Sequence, residues 1–107
     1  MNRWVNTSTK AFDDVMQLLD RALQSERGVR VPCPNRSSAV QLRSRANYYR
    51  KMTRIESKEI YPFDDKRHGV SPYDGLILRL GPKDSPEEAV LYVEPRLASS
   101  FTIEDIP

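Results

Sequence analysis

The chain is poor in the residues that build most chemical sites. It has one cysteine, Cys33, and one histidine, His68, in 107 residues. A lone cysteine excludes an internal disulfide, and one cysteine with one histidine is too few for a Cys/His zinc centre. Only four glycines are present and no G-x-x-x-x-G-K run occurs, so there is no glycine-rich phosphate cradle. No apolar run approaches the ~20 residues that a membrane span needs. The opening residues, MNRWVNTSTK, have no apolar stretch of secretory type. These absences read as an intracellular, cytoplasmic chain, with no cofactor and no metal expected.

What is present suits one soluble domain spanning residues 1–107. Hydrophobic residues make up 38% and charged residues 30%, the balance of a slightly polar globular protein. A domain of this size buries a little over ~60% of the surface its unfolded chain exposes, which is enough for a core without staples.

Charge is unevenly distributed. The net charge is +2. Residues 36–58 hold seven basic groups (Arg36, Arg43, Arg45, Arg50, Lys51, Arg54, Lys58) against one acid, Glu56. Residues 59–107 hold ten acids against five bases. An anionic partner would therefore be drawn by a local patch and not by the molecule as a whole.

Periodicity predicts the elements. Phe12, Val15, Met16, Leu19, Ala22 and Leu23 form one face of a helix. Thr7, Ser8 and Thr9 offer caps, and Gly28 offers a stop. Val29, Val31 and Cys33 alternate as a short strand, and Pro32 confines it to an edge. A second helix is expected from Ser37 or Ser38 to about Lys58, with Ala39, Leu42, Ala46, Tyr49 and Thr53 as its apolar stripe. Residues 59–75 read as loop and turn. Leu76–Leu80 and Ala89–Val93 read as a hairpin, with a further strand possible at Phe101–Ile103. The expected fold is α+β: a small, mostly antiparallel sheet of three or four strands with two helices packed against it.

The second helix carries the functional signal. On a helical wheel Arg43, Arg50 and Arg54 lie beside the apolar stripe, Asn47 fills the gap, and Lys51 and Lys58 extend the flank over ~30 Å. Like charges at these spacings repel by a few tenths of a kcal/mol each, a cost that an external anion would relieve. Arginine's planar fork matches phosphate. Arg36 with the N–H groups of Ser37 and Ser38 would make a further anion site at the helix start. Tyr48, on the solvent side, could stack on a base or pack on a partner, and Trp4 could contact a partner or staple back onto Phe12. The ordinary alternative is a solvated helix face, neutralised by Asp64, Asp65, Asp74, Glu87 or Glu88 of the acidic half.

Catalytic motifs are weak. His68 near Asp64 and Asp65 suits a solvated loop better than acid–base work. Cys33 reads as a structural thiol. Ser71, Ser99 and Ser100 have no G-x-S-x-G context. Glu56-Ser57-Lys58 matches part of a nuclease signature that belongs on a strand, not a helix. Tyr73-Asp74-Gly75 matches the tail of a nucleotidyl-ligase motif without its lysine. No catalytic residue is assigned.

The segments SSAVQLRSRANYYRKMTR and SPYDGLILRL resemble the small accessory proteins of bacteriophages and mobile elements; no functional residue is carried over. The leading expectation is a non-enzymatic nucleic-acid-binding protein, DNA or RNA, contacting phosphates through Arg36, Ser37, Ser38, Arg43, Asn47, Arg50, Lys51, Arg54 and Lys58 with low sequence specificity. The alternative is an interaction module or inhibitor binding an acidic surface of a host protein, with Tyr48 and Trp4 as anchors. Homodimerisation through the edge strand Val29–Cys33 or the last strand is a third possibility.

Overall fold

The computed structural model describes residues 12–96 and 105–106. Helix α1 spans Asp13–Gln24, β1 Val29–Pro32, α2 Arg36–Ile60, β2 Leu76–Leu80 and β3 Val90–Pro95. The sheet order is β1-β3-β2, with both pairings antiparallel. The expected α+β arrangement is found, with three strands and two helices among the described residues. Thr7–Thr9 and the strand expected at Phe101–Ile103 lie outside the described residues.

Register separates the two sheet faces. Val29, Val93 and Leu78 lie across from one another, as do Val31, Leu91 and Leu80. These rows point at the helices, where Val15, Leu19, Ala22, Ala46, Tyr73, Leu76, Leu91 and Val93 form the core. The alternate row is Arg30, Tyr92 and Arg79, and the Arg79 guanidinium sits 4.2 Å from the Tyr92 ring centroid. Period two thus sets a core-facing apolar row against an outer row in which Ile77 is the exposed apolar member.

In α1 the buried positions are Val15, Leu19 and Ala22. Leu23, expected on that face, is 46% exposed, and Leu18 packs against the core in its place. The helix ends at Gln24, earlier than Gly28. The Ser25 hydroxyl donates to the Arg21 carbonyl at 3.0 Å. Gly28 instead makes the turn into β1 at φ +87°, a conformation that favours glycine.

In α2, Ala39 and Ala46 are fully buried, and their small side chains let the helix approach the sheet closely. The cap is Asn35, not a serine. Its side chain accepts the Ser38 N–H at 2.8 Å, the geometry for which asparagine is favoured at this position. The helix runs two residues past Lys58, and Tyr61 closes it by donating its N–H to the Ser57 carbonyl at 2.9 Å. Pro62 then bars continuation. Met52 and Ser57 are buried outside the expected stripe.

Candidate interaction surface

The cations of α2 divide into two groups. Arg36, Arg50 and Arg54 reach across to the β2 side of the sheet. Arg36 donates to the carbonyls of Gly81 at 3.0 Å and Glu88 at 3.1 Å. Arg50 donates to the carbonyls of Tyr73 at 3.2 Å and Leu76 at 2.6 Å, and to Asn47 Oδ1 at 2.7 Å. Arg54 Nε donates to Asp74 Oδ1 at 2.7 Å. The first of these contacts fall at the end of β2 and the others at its start, so α2 lies antiparallel to β2. The guanidinium forks are structural braces here, using five-donor geometry on carbonyls that a turn would otherwise leave open.

Arg45 faces the opposite way. It forms a two-pronged pair with Asp14 of α1, both contacts at 2.9 Å. Its hydrogen bond is the main reason the Asp14 carboxyl lies below its ordinary value.

Arg43, Lys51 and Lys58 belong to the second group. None of them has an ion pair with the described residues. Arg43 lies on the flank of Arg36 and Arg50, seven residues from each. Of the five arginines of α2, only Arg43, which is half-buried, has neither a hydrogen bond nor an ion pair among the described residues. Ser37 and Asn47 are exposed, while the Ser38 N–H is already used by the Asn35 cap. Tyr48 is 52% exposed, with its ring 5.7 Å from Phe12. Trp4 lies outside the described residues.

Arg54 and Arg50 act on one carboxylate, Asp74, and the unforeseen Arg96 adds a further positive charge near Arg50. The Arg96 N–H donates to the Gly75 carbonyl at 2.6 Å, beside the same turn. Burial holds Arg50 below its ordinary value, helped by repulsion from Arg54 and Arg96 and opposed by Asp74. The sequence places Arg96 more than forty positions after Arg50, so no helical pattern could reveal this grouping.

Burial pushes the Asp74 carboxyl up, but hydrogen bonds from Arg54 and the Ser71 N–H, with the charges of Arg54 and Arg50, bring it below the ordinary 3.8. A carboxylate held low in the folded state stabilises the protein above the unfolded value, and this contribution is lost as pH falls through the folded value. Asp74→Asn is expected to cost about 1 kcal/mol at pH 6, after allowing for partial exposure. The difference from wild type should be smaller at about pH 2.5, below the ordinary carboxylate value, where Asp74 is increasingly protonated and so closer to asparagine in charge. Urea midpoints at the two pH values check this; an equal difference at both would refute the ionic assignment.

The one ion pair between a carboxylate of the acidic half and α2 among the described residues is that of Asp74 with Arg54. Asp65 bonds to Arg67 at 2.8 Å instead, so it does not pair with His68, whose Nδ1 lies 2.9 Å from the Tyr61 carbonyl. Cys33 Sγ lies 3.6 Å from the Val31 carbonyl. No group of three or more His, Cys, Asp or Glu among the described residues could hold a metal. No helix among them is long and apolar enough to cross a membrane.

Sequence reasoning missed an apolar surface after α2. Ile60 is 62% exposed and Phe63 90%, and Val70 is also exposed. Tyr61, Val70 and Pro72 line the adjoining groove. Isolated exposed apolar residues are ordinary, but Ile60 and Val70 share one groove with Tyr61 and Pro72, with Lys66 at its adjoining end, while Phe63 stacks edge-on to His68. Comparison of the chain with protein-family models, curated proteins and solved structures finds no match.

Proposed function

We propose that the protein is a small non-enzymatic interaction module that holds an acidic surface of a partner protein against α2. The observation that carries this reading is the mixed character of the helix's outer side. Lys51 and Lys58, without ion pairs among the described residues, lie within one helical turn of Tyr48 and Ile55, which are 52% and 47% exposed, and Arg43 adds a third such cation further along the helix. Cations alone suit any polyanion. An exposed aromatic and an exposed aliphatic group beside them suit a protein surface, where apolar contact and charge pairing combine.

Nucleic-acid binding is the second reading, favoured by the alignment of Arg43, Asn47, Lys51 and Lys58 along ~22 Å of helix. With three unpaired cations in place of a full row, log affinity on duplex DNA should fall against log salt with a slope of about −3.

A tagged protein passed through native lysate, with and without nuclease, separates the two. The expected result is a bound protein that survives nuclease. It should be lost when Arg43, Lys51 and Lys58 are changed together to Glu, and weakened by Tyr48→Ala. Loss of all bound protein on nuclease treatment, with direct oligonucleotide binding of the stated salt slope, would establish the second reading instead.

A further inference from the structure

The two sheet edges are unequal. In the β2–β3 ladder, Gly81 donates its N–H to the Val90 carbonyl at 3.0 Å and Arg96 to the Gly75 carbonyl at 2.6 Å. Odd-numbered residues of β2 therefore face β3, and Leu76, Leu78 and Leu80 turn their backbone groups outward. Leu76 is closed: its N–H donates to the Tyr73 carbonyl and its own carbonyl accepts from Arg50. Leu78 and Leu80 have no hydrogen-bond partner among the described residues for their N–H and C=O groups. On β1, Cys33 donates to the Ala89 carbonyl at 2.9 Å, so Arg30 and Pro32 face outward. Proline has no N–H, which leaves that edge one donor.

We infer that the edge of β2 is a docking strip for an extended acidic segment of a partner protein, which adds antiparallel to β2 as a fourth strand. This rests on the acidic-partner reading above. The open backbone groups of Leu78 and Leu80 supply the ladder, as in other strand additions. Charge selects the occupant. Arg36, Arg43 and Arg50 line the α2 flank above this edge, and Arg43 has no ion pair with the described residues. In an antiparallel addition, the partner residue opposite Leu78 points its side chain to the same face as Leu78, beneath those arginines. A carboxylate belongs there. A second copy of this chain would place Arg43 against Arg43, which opposes self-pairing.

The probe is an end-blocked eight-residue peptide of alternating Glu and Val, read by fluorescence anisotropy with the full chain. Opposite Leu78 and Leu80, the Glu residues also turn their N–H groups towards β2. N-methylation at the Glu positions should therefore weaken binding at least about tenfold, and N-methylation at the Val positions should leave it within about twofold. Arg43→Glu, with its fold checked by circular dichroism, should also weaken binding about tenfold. Equal binding of the two N-methylated peptides would overturn strand addition while leaving an acidic partner in place. No peptide binding alongside tight oligonucleotide binding would overturn the acidic-partner reading itself. A concentration-dependent doubling of mass in sedimentation would give the edge to a second copy and refute the inference.

Discussion

Leu91→Ala is expected to lower stability by about 2–5 kcal/mol, the range for emptying a fully buried leucine site. Leu91 is inaccessible to solvent and sits in the central strand, with Val31 on one side and Leu80 on the other. Both helices pack over this face, so the cavity cannot collapse from one side alone. For a domain of this size the urea midpoint should fall by ~1–3 M with little change in slope. A loss under 1 kcal/mol would mean that the core can close over the gap, contrary to the packing described. Because Leu91 opposes Leu80, the same variant should also loosen β2 and weaken the capture of an acidic strand.

Gly28→Ala is expected to be comparably damaging for a different reason. Gly28 has φ +87°, where an alanine carries an intrinsic backbone penalty of about 1–2 kcal/mol. A Cβ there would also lie far inside contact distance of the Val93 carbonyl oxygen and the Glu94 Cα. Backbone of the central strand would have to move, since neither obstacle is a flexible side chain. The expected total is about 3 kcal/mol or more, read as a fall in melting temperature of over ~10 °C. Gly75→Ala is the natural control, because a Cβ at that position meets nothing within 4 Å. A Gly28→Ala protein as stable as that control would refute the close approach of the α1–β1 turn to β3.

Local patterns made the elements legible in the sequence. The spacing of Val15, Leu19 and Ala22 fixes which side of α1 is buried, and alternation along Val29–Val31 and Leu76–Leu80 fixes the strand faces. Ala39 and Ala46 identify the face of α2 that meets the sheet. Strand order was not legible, because register is set by pairing between distant segments and two apolar five-residue strands are interchangeable by pattern alone. The cap on α2, Asn35, lies two or three residues before the expected Ser37 or Ser38: asparagine and serine both suit the cap position, and only backbone direction distinguishes them.

The candidate surface was legible in outline and not in detail. The concentration of cations in residues 36–58 marks α2 as the unusual element. The division of labour within it depends on what each guanidinium meets across the fold. Arg50 meets two carbonyls and Arg54 meets Asp74, both contributed by the turn at residues 71–76. Arg45, two positions from Arg43 and so on the opposite side of the helix, lies off the expected flank and pairs with Asp14. The apolar groove of Ile60, Tyr61 and Val70 gave no periodic signal, because it is assembled from a helix end and an irregular loop.

The order β1-β3-β2 has a consequence for synthesis. The first and second strands never touch in the finished sheet; each hydrogen-bonds only to the third. While the chain is emerging from the ribosome, both helices and both outer strands can exist before any sheet can, and they must wait for residues 90–95 to arrive. Closure is then a single late event that joins both sides of the molecule at once. Stopping translation before Val90 should yield a collapsed, protease-sensitive chain and not a stable smaller domain.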